Sequence, residues 1–227
     1  MMLISRYSTL IILSIVLTIN AFGQKGETVY SAEARVRSVN HEDYKDIKGS
    51  PYLFEDWFEA KVIGMDGKYT EYLYMNFNGL THQLELMENG NTQVLIENTY
   101  LKAILSVGEN EYTFMSGIHP DLGRDKICIL FDGQEIKLIK DFTVRIDESV
   151  AQTPGVPTVF ERFATTVTYY MMKRGLLVKI KLKKKTILRL LDDNPNIEEY
   201  SKKEKISFNS ESDVIKLLKY YESSLSN

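Results

Sequence analysis

The stretch that decides the fold runs from Trp57 to Ile96, WFEAKVIGMDGKYTEYLYMNFNGLTHQLELMENGNTQVLI. Four segments in it, Trp57 to Met65, Tyr69 to Phe77, Leu80 to Met87 and Thr92 to Ile96, have a period of two. Asp66-Gly67, Asn78-Gly79 and Asn89-Gly90 separate them. Such dipeptides mark tight hairpins, because a type I′ turn needs positive φ at both central residues. Four alternating segments joined by such turns predict an antiparallel meander.

The same grammar continues in both directions. Leu101 to Val107 and Tyr112 to Met115 read as strands, and a polar break over 116–126 holds His119-Pro120-Asp121. Ile127 to Phe131 then pairs across Asp132-Gly133 with Glu135 to Ile146. Pro154, Gly155 and Pro157 predict a loop over 147–158. Ala164 to Met172 and Leu176 to Leu182 form a last hairpin around Arg174-Gly175. Upstream, Lys48-Gly49-Ser50-Pro51 punctuates the chain. Residues 24–48 are polar, with Val29, Ala34, Val36 and Val39 as one weak strand pattern.

The period changes near the end. Ile187, Leu190 and Leu191 have helical spacing, and Asn194-Pro195 predicts a capped helix start. Ser210-Glu211-Ser212-Asp213 offers a second N-cap with acids in the first turn. Behind it, Val214, Leu217, Leu218, Tyr221 and Leu225 make one apolar stripe. The expected fold is α+β and mostly antiparallel: a curved meander sheet or half-barrel with C-terminal helices packed on it. The segments are a leader over 1–23, a polar stretch over 24–48, a β domain over 49–183 and a helical segment over 184–227.

The leader is read from Arg6, the apolar run Leu10 to Ile19, and the small residues Ala21 and Gly23 before Gln24. That is the three-part layout of a secretory signal, and the run is too short for a span of about 20 residues. Gln24 stands where a lipoprotein would carry Cys, so no lipid anchor is expected. Removal of the leader takes away Arg6 and leaves 27 basic against 31 acidic residues, which argues against nucleic acid. No long apolar segment follows, so no transmembrane helix is expected in the mature chain. A chain of this size buries about 70% of its unfolded surface and needs no disulfide. Cys128 is the only cysteine, and in Ile127-Cys128-Ile129-Leu130-Phe131 it reads as a small buried hydrophobe.

Several short pieces in order carry a resemblance. They are the leader, Lys48-Gly49-Ser50-Pro51-Tyr52-Leu53, the Asp66-Gly67 hairpin, Tyr72-Leu73-Tyr74-Met75-Asn76, Phe131-Asp132-Gly133, and a helical tail closing on Leu218-Lys219-Tyr220-Tyr221. Together they resemble a group of small exported proteins of Bacteroidota. The resemblance implies a cell-envelope location and implies no activity; a C-terminal sorting domain is not apparent and the tail reads as a helix, so a periplasmic rather than extracellular location is expected.

No motif points to catalysis, a cofactor or a metal. His41, His82 and His119 lack a partner at metal spacing, and no Gly-x-Ser-x-Gly accompanies His119 and Asp121. The carboxylate pairs Glu55/Asp56, Asp192/Asp193 and Glu198/Glu199 are sequence neighbours, unlike the facing pair of a glycosidase. The unusual feature is basic: eight Lys or Arg and no acid from Lys173 to Arg189. Lys179, Lys181, Lys183, Lys184 and Lys185 are candidate contacts for an anionic partner such as lipid headgroups, lipopolysaccharide phosphates or an acidic protein. Protection of an edge strand from aggregation also accounts for such a row. Trp57, Tyr72 and Tyr74 are candidate ligand-facing aromatics, against the alternative of ordinary cross-strand pairs. The function expected is non-enzymatic binding or interaction in the envelope. A carrier of a lipid or other apolar ligand, held between sheet and helices, is the alternative, and an envelope hydrolase the second alternative.

Overall fold

The computed structural model describes residues 36–38, 44–70, 73–123, 126–151 and 158–225. The expected leader, His41, Tyr72 and the Pro154-Gly155 and Pro157 signals lie outside them. The strands are β1 (Val36–Ser38), β2 (Phe58–Gly64), β3 (Leu73–Asn78), β4 (Gln83–Glu88), β5 (Asn91–Leu95) and β6 (Tyr100–Val107). They continue as β7 (Asn110–Met115), β8 (Ile127–Asp132), β9 (Ile136–Ala151), β10 (Thr158–Lys173) and β11 (Leu176–Ile180). Three helices follow: α1 (Lys184–Leu190), α2 (Ile197–Lys203) and α3 (Glu211–Leu225). No described helix is long and apolar enough to cross a membrane.

All eleven described strands belong to one antiparallel sheet, in the order β1-β5-β4-β3-β2-β6-β7-β8-β9-β10-β11. The sheet is open, with β1 and β11 at its edges. It is also forced to curl. β5 and β6 lie four places apart, which on a flat sheet is about 19 Å. Only Ile96 to Thr99 join them, and these four turn back on themselves, the Thr99 amide donating to the Ile96 carbonyl at 3.4 Å. So short a turn can join these strands only if the strip from β5 to β6 is strongly bent.

A second contact bends the sheet at its far side. The β3–β4 turn meets β9, where the Val144 amide donates to the Gly79 carbonyl at 2.9 Å. A Cβ on Gly79 would lie 2.5 Å from Phe142 Cε1 and 2.9 Å from Val144 Cγ2. Asn78-Gly79 is therefore not the type I′ pair that the sequence suggests. The glycine serves a close approach, His82 takes the left-handed conformation at φ +54°, and Asn78 Oδ1 accepts from the Leu80 amide at 2.9 Å. Asn89-Gly90 (φ +51° and +77°) has positive φ at both positions, as read from the sequence, and so does the turn at Arg174-Gly175 (φ +51° and +81°), whereas at Asp66-Gly67 only the glycine does (φ +79°).

The segment Lys48 to Leu53 ties the curl together. Lys48 exchanges backbone bonds with β10 (its amide to the Glu161 carbonyl at 3.0 Å, the Phe163 amide to its carbonyl at 2.9 Å). Three residues on, the Gly79 amide donates to Pro51 at 2.8 Å and the Leu53 amide to Phe77 at 2.9 Å. Asn76 spans the break before β2, its amide donating to the carbonyls of Phe54 (2.8 Å) and Asp56 (2.9 Å). β9 and β10 are longer than the alternation suggested: residues 147–151 and 158–163 are strand, paired through Asp147/Arg162 and Val150/Val159.

The concave face is filled. Phe77 meets Phe114 and Phe142 at ring-centroid distances of 5.3 and 6.4 Å. Val214, Leu217, Leu218 and Tyr221 of α3 are wholly buried in the same core, while Leu225 at the end of the stripe is exposed. Ser210 caps α3 as expected, accepting from the Asp213 amide at 3.4 Å. Asn194 does not cap α2. It is buried, bonds the Ser224 hydroxyl and accepts from the Asn196 amide, so the helix starts later, at Ile197.

Polar bonds fix the helices on the sheet. Glu222 accepts from the Glu135 and Ile136 amides, both at 2.8 Å. Asp193 accepts from Lys173 Nζ at 2.8 Å and from the Tyr221 hydroxyl at 3.0 Å. Burial works against the charge on Asp193. The bonds from Lys173 and Tyr221 and the charges of Lys173 and Arg174 outweigh it and hold the carboxyl below its usual range.

Two outcomes follow from these contacts. Gly79→Ala should lower the unfolding free energy by about 1–3 kcal/mol, read from the urea midpoint at unchanged slope; a neutral result would mean that the turn does not press on Phe142. A depressed carboxyl stabilises fully above its unfolded value of about 3.9 and loses that contribution as pH falls through the folded value. Asp193→Asn should therefore be less stable than the parent at neutral pH, and the gap should close in strong acid in a thermal-unfolding series.

Candidate functional site

β11 is the last strand of the sheet and pairs only with β10 among the described strands. Its alternation sorts its residues by face. Ile180, opposite Tyr169, is buried in the core, while Lys179, opposite Tyr170, is exposed. Lys181 follows on the exposed side. The chain then turns tightly, the Lys183 amide donating to the Lys181 carbonyl at 2.8 Å, and enters α1 at Lys184. Lys183, Lys184 and Lys185 are all exposed there.

The fold divides the basic run into two groups. Lys173 and Arg174 are paired with acids: Lys173 with Asp193, and the exposed Arg174 with Glu135 (2.8 Å) and Asp193 (3.5 Å). Among the candidate lysines only Lys184 has an acid partner, Glu198 at 3.4 Å, which it shares with Lys202 at 3.2 Å. Lys179, Lys181, Lys183 and Lys185 have no ion pair among the described residues. Edge protection accounts for Lys179 and Lys181. It does not account for Lys183 to Lys185, which lie beyond the strand. The first turn of α1 has no acid and no side-chain cap, and cations there oppose the helix dipole. The result is a compact exposed field of uncompensated positive charge.

The two described aromatic candidates differ in exposure. Trp57 is half-buried and packs on Tyr52 at 5.3 Å between ring centroids. Tyr74 is exposed on the outer face, opposite Glu59. His119 accepts from the Asp121 amide at 3.2 Å and begins a single 3₁₀ turn over Pro120–Leu122. His82 stands in the β3–β4 turn, its ring nearly perpendicular to that of Phe77 at 6.2 Å between centroids. No group of three His, Cys, Asp or Glu is placed to hold a metal among the described residues. Cys128 is buried, and burial pushes its thiol far above the ordinary range.

Two polar clusters were not visible in the sequence. Glu85 is wholly buried on the outer side of β4, where its carboxyl accepts from Tyr52 at 2.7 Å and from Asn78 Nδ2 at 2.8 Å. Burial first, then the bond to Glu85, raises the Tyr52 phenol well above its usual value. Lys140, on the core face of β9, pairs with Glu211 at 2.8 Å, and the Tyr169 hydroxyl donates to the same carboxyl. Alternation gives the face of each of these residues and not its partner, which comes from an element far along the chain. Both clusters are satisfied internally and hold elements together: Glu85 holds the segment with Tyr52, and Glu211 seats the start of α3.

No protein-family model, no curated protein and no solved structure matches this chain.

Tyr52→Phe removes the phenol from a buried carboxyl and should cost about 1–3 kcal/mol. Faster hydrogen exchange at the Leu53 and Gly79 amides would confirm that this bond holds the segment on β3. Unchanged exchange would show that the backbone bonds suffice.

Proposed function

We propose that the protein is an exported, non-enzymatic binding module of the cell envelope, which attaches to a phosphate-bearing anionic lipid surface through Lys179, Lys181, Lys183, Lys184 and Lys185. The observation that carries this reading is the field of exposed lysines on β11 and the start of α1, four of them without an acid partner among the described residues. A cation near an anionic membrane surface contributes about 1 kcal/mol, so a small cluster gives useful and salt-sensitive affinity. The lysines extend past the strand edge into a helix start where local electrostatics oppose them, so a use beyond solubility is favoured. The leader-like segment over 1–23 supports the envelope half of the proposal. A carrier needs room for its cargo on the concave side. Phe77, Phe114, Phe142 and the α3 stripe occupy that face, so the binding reading has the better support.

The test is co-sedimentation of the protein, expressed with its own leader, with vesicles of phosphatidylglycerol or phosphatidylcholine. Binding to the anionic vesicles only, lost at high salt, is expected. The triple variant Lys179→Gln, Lys181→Gln, Lys185→Gln should bind about 100-fold more weakly, on about 1 kcal/mol per lysine. Equal binding to both vesicle types would overturn the proposal. So would no binding by the parent, and if the variant then aggregates, edge protection is the lysines' only role. Intact mass should correspond to residues 24–227; an uncleaved mass would remove the export half.

A further inference from the structure

Three connections meet at one end of the curled sheet: the β2–β3 turn, the β5–β6 turn and the segment from β7 to β8. Between them lies an open cleft of about 510 Å³, with Glu97, Tyr100 and Lys126 among its lining and Met65, Leu101 and Ser116 around them. That is within the usual size range of small-molecule sites.

Two features set this cleft apart. Lys126 is charged yet almost wholly buried, its side chain 3% exposed. Among the described residues its acid partner is Glu97 at 3.5 Å, which is itself 55% exposed, and its ammonium also lies over the face of the Tyr100 ring, 4.8 Å from the centroid. An ammonium has three donors, and one long ion pair leaves it poorly compensated for the loss of water. Desolvation accordingly lowers the Lys126 pKa, although the charge and hydrogen bond of Glu97 oppose this. The second feature is the Tyr100 hydroxyl, which is buried without a hydrogen-bond partner among the described residues. Burial first, with the Glu97 charge adding, raises this phenol and keeps it a neutral hydroxyl able to donate. In the lining of one cleft stand a buried cation with one acceptor at 3.5 Å and a hydroxyl with none among the described residues, and an added oxygen acceptor would serve both. Met65 and Leu101, 54% and 48% exposed, add apolar surface beside them.

We propose that this cleft binds a small organic oxyanion with an apolar stem, its oxygens completing the Lys126 ammonium and the Tyr100 hydroxyl and its stem lying on Met65 and Leu101. Carboxylate and phosphate monoester heads share the chemistry required. The site is independent of the lysine field on β11.

Isothermal titration of the full protein with octanoate, octyl phosphate and the neutral control octanol tests this. One-site binding of an anionic probe, with little or no heat from octanol, is expected, and the tighter head identifies the ligand class. Lys126→Met should weaken binding at least about 10-fold while leaving the unfolding midpoint unchanged or raised, because it removes a poorly paired buried charge. Tyr100→Phe, a nearly isosteric change, should weaken binding several-fold and provides the test if Lys126→Met does not fold. The triple variant at Lys179, Lys181 and Lys185 should bind these probes like the parent, so failure of the vesicle assay and failure here are distinguishable. No binding of either anion, equal binding of octanol, or parent-like affinity in Tyr100→Phe together with Lys126→Met would overturn the proposal.

Discussion

Four residues, Ile96 to Thr99, join strands that lie four places apart in the sheet, and this chain constraint governs the rest of the molecule. A flat sheet would hold those strand ends too far apart for such a turn. The sheet must curl, and the curl turns the faces carrying Phe77, Phe114 and Phe142 toward one another. Gly79 completes the bend on the other side, because its missing side chain lets the β3–β4 turn touch β9. The Lys48 to Leu53 segment then links β10 to β3 without closing the sheet. Curvature thus comes from a short connection, one bare Cα and one linking segment acting together.

A curled open sheet leaves a concave apolar face that must be covered, and the C-terminal helices cover it. The α3 stripe supplies the burial, whereas the polar contacts of Glu211, Glu222, Asp193 and Asn194 decide where the helices sit. These contacts engage Glu211, Glu222 and Asp193, with Tyr169 and Tyr221, in internal bonds. The charged groups left over are therefore informative. The lysines of β11 and α1 remain outside that network, and Lys126 has, among the described residues, one acid partner at 3.5 Å. Burying a cation with such poor compensation costs stability, a pattern common at binding sites and unexpected in a purely structural position.

The two candidate surfaces suit different partners. The lysine field is exposed and lies along an open sheet edge, which fits a broad charged surface read through long-range, salt-screened attraction. The Lys126 cleft is lined by Glu97, Asn98, Tyr100, Ser116 and Lys126 with Met65 and Leu101 beside them, which fits one small molecule read through short-range bonds. Neither depends on a side chain of the other.

Periodicity and turn chemistry alone determined much of this protein. The strands from Phe58 onward, the Asn89-Gly90 and Arg174-Gly175 turns, the Ser210 cap and the α3 stripe are written locally, because each rests on residues a few positions apart. The lysine row was visible for the same reason, since alternation assigns its face without knowledge of the fold. Only the tertiary structure decided what depends on distant partners. Gly79 and Asn194 carry ordinary turn and cap signals, but their roles come from Phe142 and Ser224, far along the chain. Lys126, Tyr100 and Glu97 bear no motif and converge only because three connections meet at one end of a curled sheet. A sequence encodes periodicity directly; the approach of remote segments emerges only when the whole sheet bends.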